Sequence, residues 1–369
     1  MSMLKGYYLH SQSRQSLGVA KKIDMQIKEF SKYCSIDEIE ISVIDRNLIQ
    51  RILGLFPTAS IKRNYDAALE KIKEPSFIYI RRMVADRQYL QFLKRLRANY
   101  PNCKILIELY TYPYDKDEFA KWNSWPFYLK ELIYRNRQKK YIDRFVTLTD
   151  DKYIFGAPTI KIMNGIDVNA IKTVGGEFVK DRISLIGVAY MQRHHGYERI
   201  IEGLRNYYSS SNPKTEVSLT LVGDGPEKAL YQKLVDDYGL EKHVTFYPNT
   251  SGAELDELYD KADIGVASLG MYKLGLYGKS SVLKSREYLA KGMLMLLGCP
   301  IDVIDDDYKY AFMAPNDDTP INISGLVDFY NAVCEKHPSK EECAEIIRGF
   351  AIKTVDNSIA LKPIVDYIG

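Results

Sequence analysis

The chain has 369 residues, 46% of them hydrophobic and 27% charged, with a formal net charge of +3. Those proportions suit a globular protein of two ordinary domains and exclude a disordered or fibrous chain. No apolar run approaches the roughly 18 residues of a membrane-spanning helix.

Cys34, Cys103, Cys299, Cys334 and Cys343 are scattered and form no C-x-x-C pair. Neither a disulfide framework nor a zinc site is indicated, and a reducing cytoplasm is the expected location. Charge is unevenly placed. Residues 1–169 hold 29 Lys and Arg against 19 Asp and Glu, whereas residues 170–369 hold 22 against 29. The basic half concentrates at Arg81-Arg82, at Lys94-Arg95-Arg97 and from Lys130 to Arg144. A basic helix lying on an anionic membrane surface and a solvated helix face both account for the last cluster. No nucleic-acid-binding motif accompanies the charge, so nucleic acid is not an expected partner.

In chain order, MSMLKGYYLH lacks the long apolar core of a signal peptide and reads as a first strand. A helix follows from about Leu17 to Tyr33. SFIYIRR precedes a helix from about Arg87 to Asn99, and KILIELY precedes a polar and aromatic loop. A helix from about Phe127 to Asp143, then RFVTLT and IKIMNGID, close the first series. In the second half RISLIGVA, SLTLVGDG, HVTFYPN, ADIGVAS and MLMLLG are short apolar runs. Helical segments separate them around 197–208, 227–238, 253–261 and 281–291. A final helix is expected over 356–368. This alternation predicts an α/β protein with parallel sheets covered by helices, one per half. Such sheets bind ligands beyond the carboxyl ends of their strands, so residues just after strands are the candidates.

LVGDGP at 221–226 ends a strand and opens a helix, with Gly223 and Gly225 allowing a tight turn and Pro226 in the first helical turn. It lacks the G-x-G-x-x-G dinucleotide fingerprint. Asp224 is expected to cap the following helix. SSVLKSREYLAKG at 280–292 reads as a helix start with Ser280 or Ser281 as N-cap. Lys279 and Lys284 oppose the positive end of that helix dipole. Free N–H groups, serine hydroxyls and lysines together suit a phosphate. Glu287 shares the face of Lys284 and suits a sugar diol, while Lys284, Glu287 and Lys291 could equally form a solvated ion-pair ladder.

LVGDGPEKALYQKLVDDYGLEKHVTFYPN, SGAELDELYDKADIGVASLG and KSSVLKSREYLAKG occur in order. Here the sequence resembles the nucleotide-sugar domain of retaining GT-B glycosyltransferases, in particular family-four-like bacterial polysaccharide enzymes (glycosyl transferases group 1). The resemblance is strong over about 180–300 and weaker before it, through LGVAKKIDMQ and KIMNGIDV. It implies two Rossmann-like domains with parallel sheets facing across a cleft. Residues 1–169 would be the acceptor-side domain, joined by a C-terminal helix of about 352–369 that crosses back. Residues 170–351 would hold the nucleotide sugar. It further implies transfer of a hexose from a UDP- or GDP-sugar to a glycan acceptor, with retention and without a metal or other cofactor.

The resemblance also implies site residues. Glu287 matches the family's ribose-binding glutamate. Lys279 stands where the first glutamate of that motif is expected, which puts a carboxylate on the donor sugar in doubt. Lys284 matches the phosphate ligand, with Ser280 and Ser281 adding donors. YMQRHHGYERI replaces the family's Arg–Lys pair, so Arg193, His194, His195 and Arg199 are candidates, His195 the best matched. Gly18 matches a backbone approach to the donor, and Tyr247-Pro248 a nucleobase contact. Glu108 and Asp115 are the catalytic-loop candidates, a buried structural Glu108 being the other reading. The basic first half implies a lipid-linked acceptor and a peripheral place at the inner face of the membrane. A non-catalytic scaffold subunit and a nucleotide-sugar epimerase of the same fold are the alternatives.

Overall fold

The computed structural model describes residues 4–11, 17–44, 56, 59–115, 125–210 and 213–369. The chain forms two compact units, Met1–Asn164 with Asn357–Gly369, and Gly165–Asp356.

The first unit alternates β1 (Lys5–His10), α1 (Leu17–Phe30), β2 (Ser35–Glu40), α2 (Tyr65–Lys71), β3 (Phe77–Arg81), α3 (Arg87–Asn99), β4 (Lys104–Leu109), α4 (Trp125–Tyr134), β5 (Arg144–Thr147), β6 (Tyr153–Ile154) and β7 (Ala157–Lys161). Among the described residues the sheet order is β2-β1-β3-β4-β5-β7-β6, parallel except for the β6–β7 hairpin. β3 is buried along its whole length because both of its faces are covered. Ile78, Ile80, Ile105 and Ile107 pack with Tyr89 and Phe92 of α3 on one side. Phe77, Tyr79, Leu106 and Val146 pack with Ile23 and Phe30 of α1 on the other. Asp86 starts α3, its carboxylate accepting from Tyr89 N at 2.8 Å and from Ile61 N at 2.6 Å.

The second unit comprises β8 (Arg182–Val188), α5 (Glu198–Ser209), β9 (Glu216–Val222), α6 (Lys228–Tyr238), β10 (Val244–Tyr247), α7 (Ala253–Asp260), β11 (Ile264–Val266), α8 (Leu283–Lys291), β12 (Leu294–Leu297), β13 (Ala311–Met313), α9 (Ile323–Lys336) and α10 (Lys340–Thr354). Its described strands are all parallel, in the order β10-β9-β8-β11-β12-β13. From β8 the chain winds outward one way to β10, and from β11 the other way to β13. The order therefore reverses between β8 and β11, where an open parallel sheet leaves a crevice beyond its strand ends.

The structure differs from the sequence expectation at several elements. The helix expected over Phe127–Asp143 ends at Tyr134, and Arg135–Lys140 tighten into a 3₁₀ turn. The expected C-terminal helix of 352–369 is interrupted. α10 runs to Thr354 in the second unit, and α11 (Asn357–Ala360) and α12 (Lys362–Ile368) belong to the first. The units also change earlier than residue 170. Ile166 N donates to Val355 O at 2.9 Å, and Arg348 of α10 donates to Val168 O and Ile171 O at 2.8 and 2.9 Å. These bonds tie the connecting segment to the second unit.

α12 buries Ile364 and Ile368 with Phe77, Tyr79 and Phe30, and Lys104 Nζ donates to Tyr367 O at 2.7 Å. Ile364→Ala should cost about 2–5 kcal/mol of stability in urea denaturation. Ile359→Ala, at a position 36% exposed, should stay within about 0.5 kcal/mol.

Candidate functional site

The loops after β8, β9 and β11 are built against one another by backbone contact. Leu269 N donates to His195 O at 2.8 Å, and Gly270 N to His194 O at 3.1 Å. Met191 accepts from Glu227 N at 3.1 Å and donates to Asp224 O at 2.5 Å. Gly225 adopts φ +142°, and a Cβ there would lie 2.4 Å from Met191 O. Gly196 adopts φ +64° and comes as close to Gly270 N, at 2.6 Å. Only glycine tolerates both the conformation and the approach. Asp224 does not cap α6, contrary to expectation. Its Oδ1 accepts from Gly225 N at 2.9 Å, and the cap position is Glu227.

α8 begins with Val282 as N-cap and no side-chain cap bond, so neither Ser280 nor Ser281 takes that role. The segment before it is held extended against Ile301. Ser280 N donates to Pro300 O at 2.9 Å. Ser280 Oγ lies 3.3 Å from Pro300 O, and Ser281 Oγ accepts from Arg286 Nη2 at 3.1 Å. Arg286, wholly buried, also pairs with Asp302, which fixes this approach. Lys279 is exposed and donates to Ile304 O at 3.3 Å.

Lys284 lies in the first turn of α8, half-buried. Its Nζ donates to Tyr197 Oη at 3.1 Å and stands 5.6 Å from the centre of that ring. Burial lowers its pKa from 10.5 to about 7, against the opposing pull of Glu287. One turn on, Glu287 accepts from Tyr259 Oη at 3.4 Å. Lys291 pairs instead with Asp256 at 2.6 Å and stands 4.3 Å over the Tyr259 ring. The solvated ladder is therefore not what the structure forms: the ladder's last cation is buried and committed to α7.

His194 and His195 follow β8 with ring centres 4.4 Å apart. His195 Nδ1 lies 3.0 Å from Gln192 N and 3.2 Å from Gln192 O, and the ring's tautomer decides which of the two it bonds. Burial first, then the Lys284 charge and His194, lower its pKa to about 3. Burial and Lys284 lower His194 as well. Arg193 is exposed, and among the described residues its guanidinium has no partner. Arg199 is no free anion ligand. It is 1% exposed and donates to Leu269 O, to Thr319 O at 2.8 Å and to Pro315 O at 2.9 Å. Tyr247 is half-buried, and its carbonyl accepts from Gly223 N at 3.0 Å.

In the first unit the candidates have different partners. Glu108, in β4 and 3% exposed, accepts from Gln26 Nε2 at 3.0 Å and pairs with Arg81 at 3.3 Å. This is the buried structural reading. Asp115 pairs with Arg135, and Gly18 lies in the first turn of α1. Among the described residues, no group of three or more His, Cys, Asp or Glu is placed to hold a metal ion.

Sequence reasoning missed Tyr197 and Tyr259, which lie under Lys284 and Glu287, the buried Arg286 and the half-buried Arg348. Tyr197 directly follows the His-His-Gly run, the one signal that could have found it.

The fold and these strand-end loops have known counterparts. Residues 172–276 match the family model of glycosyl transferases group 1. No curated protein matches the sequence. Among solved structures, the lipopolysaccharide outer core galactosyltransferase WaaB is 13% identical, with a TM-score of 0.61 and 99% of both chains covered. The N-terminal domain of Candida albicans trehalose-6-phosphate phosphatase is 12% identical, with a TM-score of 0.59 and 98% of both chains covered. The sucrose-phosphate synthase of Thermosynechococcus elongatus is 14% identical, with a TM-score of 0.58, covering 99% of this chain and 98% of its own. At such identities these structures show the fold alone, and that fold is GT-B. The fold serves a galactosyltransferase, a synthase and a phosphatase domain alike, so the class rests on the matched segment. Residues 172–276 thus carry a glycosyl transferases group 1 segment on a chain of GT-B fold, and glycosyltransferase is the class that the segment and the fold support.

Arg199→Ala should leave the buried Leu269 carbonyl without its donor and remove the bonds to Thr319 O and Pro315 O, at exposed residues, and cost about 1–3 kcal/mol in urea denaturation.

Proposed function

We propose that the chain transfers a hexose, with retention of configuration, from a UDP- or GDP-sugar to a glycan acceptor. The second unit holds the donor at the ends of β8 and β11. The observation that carries this reading is Lys284. It is an amine in the first turn of an uncapped helix, beside two neutral histidines and an exposed arginine. An anion is what completes such a group.

In this reading Lys284 and Arg193 bind the pyrophosphate oxygens, and His195 and Ser281 add hydrogen bonds. Glu287 takes the ribose diol, and Tyr247 lies toward the base. Lys279 can turn from Ile304 O to the donor. These cations stabilise the diphosphate as it leaves, without a protein-bound metal. A departing phosphate oxygen can accept the acceptor's proton. The reaction therefore requires neither Glu108 nor Asp115, whose carboxylates pair with Arg81 and Arg135. The acceptor is lipid-linked and the chain peripheral at the inner face of the membrane, a reading supported by the basic first half. In the described residues no helix is long and apolar enough to cross a membrane.

One observation favours a second reading, a scaffold subunit: Lys279 in place of the expected carboxylate. Donor binding without turnover would establish that reading, and turnover would sink it.

The pH dependence of UDP or GDP affinity, measured by calorimetry, tests the donor site. With Lys284 near 7 in the empty site and raised by a bound anion, binding takes up a proton above pH 7. Affinity should then fall, by up to about tenfold per pH unit, between pH 7 and 9. Lys284→Arg should flatten the profile, because arginine stays charged throughout. Lys284→Ala should lose tenfold or more of the affinity, about 1.4 kcal/mol. Unchanged affinity in Lys284→Ala would overturn the assignment. Glu287→Ala should weaken the nucleotide but leave inorganic pyrophosphate binding as it was, which separates ribose from phosphate recognition.

A further inference from the structure

We propose that the outer face of α4, with the basic turn that follows it, inserts into the headgroup region of an anionic lipid bilayer. This deepens the peripheral-membrane part of the reading above and needs only that part.

α4 is amphipathic the wrong way round. Trp125, Leu129, Leu132 and Ile133, spaced to share one stripe of a helix, are 40, 36, 44 and 39% exposed. On the opposite side Tyr134 is buried at 8%, and so are the charged Lys130 and Glu131, 0 and 3% exposed. Their polar groups are satisfied inside the unit. Glu131 accepts from Ala85 N at 2.7 Å and Tyr114 Oη at 2.9 Å and lies 3.7 Å from Arg82, while Lys130 donates to Phe56 O. A helix that buries its charges and exposes Trp, Leu and Ile keeps that stripe for something other than its own core.

Charge decides what covers it. Arg137, Lys139 and Lys140 are exposed on the 3₁₀ turn directly after α4. Glu131, the one acidic residue of α4, is turned inward. A second copy meeting this face about a two-fold axis would bring those cations toward their own images. An anionic headgroup layer instead matches the cations, and its acyl boundary matches the Trp and aliphatic side chains. Arg135 is not part of this surface, although sequence alone groups it with the others. It is paired with Asp115 and lies 4.6 Å over the Phe155 ring.

The chain contains 2 tryptophans, Trp125 and Trp122, the latter outside the described residues. Intrinsic fluorescence therefore reports on this segment directly. The full chain is mixed with phosphatidylcholine vesicles, with and without phosphatidylglycerol, and with the same vesicles carrying brominated acyl chains. The expected result is flotation with the anionic vesicles, a blue shift and quenching by the bromines. The double variant Leu132→Glu/Ile133→Glu should bind about tenfold more weakly or worse, with UDP affinity unchanged. The triple variant Arg137→Glu/Lys139→Glu/Lys140→Glu should lose anionic vesicles to a similar degree. Undiminished binding by the Leu132/Ile133 variant would overturn the proposal, as would binding without quenching. So would a dimer in solution that the Leu132/Ile133 variant dissolves, since the face would then belong to a second copy. Loss of vesicle binding with UDP affinity retained bears on this surface and leaves the transfer reading standing.

Discussion

The second unit is organised around a lysine kept where its charge is poorly solvated. Lys284 is held by a neutral hydroxyl, that of Tyr197, rather than by a direct carboxylate partner at the same distance. A carboxylate there would fix the amine as a salt bridge and set it against any incoming anion. A phenol satisfies one proton and leaves the remaining charge available. The part-buried position is what brings the pKa down toward neutrality. The same construction recurs one turn on, where Tyr259 donates to Glu287. Tyr197 packs against the Tyr231 ring and Tyr259 against the Tyr288 ring, a buried tyrosine layer in which Tyr288 Oη donates to Val266 O. That layer gives some of the chain's 29 tyrosines a physical purpose, since phenylalanine would fill the same volume and hold neither residue.

Two buried arginines and one half-buried do the corresponding work for the loops. Arg199 gathers carbonyls from 269, 315 and 319, Arg286 ties the start of α8 to Asp302, and Arg348 ties its end to the connecting segment. A planar guanidinium with five donors suits this role, because several carbonyls can be satisfied by one side chain without leaving an orphan. Each such arginine removes a cation from the count available for ligands. The sequence pattern after β8 offers two arginines, and only Arg193 is left exposed.

How much was legible follows from what carries each signal. β3, β4, β8 and β9 are apolar runs between helical periods, and their existence could be read directly. β2 could not, since SIDEIE is an edge strand with only Ile39 buried, and edge strands carry little apolar pattern. The start of α8 was placed near the right residues, but its cap was not. A serine looks like a cap from sequence, and here the bridge to Ile301 and the pull of Arg286 override that local preference. Lys284 and Glu287 could be singled out from spacing and resemblance. Their tyrosine partners could not, because Tyr197 and Tyr259 come from elements 87 and 28 residues away. The buried state of Glu108 was equally hidden, since it depends on Gln26 and Arg81 from two other elements.

α4 illustrates the same limit from the opposite direction. Read as sequence, Lys130 to Arg144 is a basic stretch, and its cations look equivalent. Folded, Lys130 is buried, Arg135 is paired, and Arg144 stacks 4.9 Å from the Tyr367 ring. The net charge of the first half therefore overstates what any ligand or surface would meet. What remains outside is smaller and better defined: three cations on a tight turn, set beside an apolar stripe. Uniform basic charge attracts any polyanion. Cations joined to exposed Trp, Leu and Ile select an interface that is both charged and oily. On the proposal made above, the arrangement, and not the charge total, is the part of the first unit that would discriminate between partners.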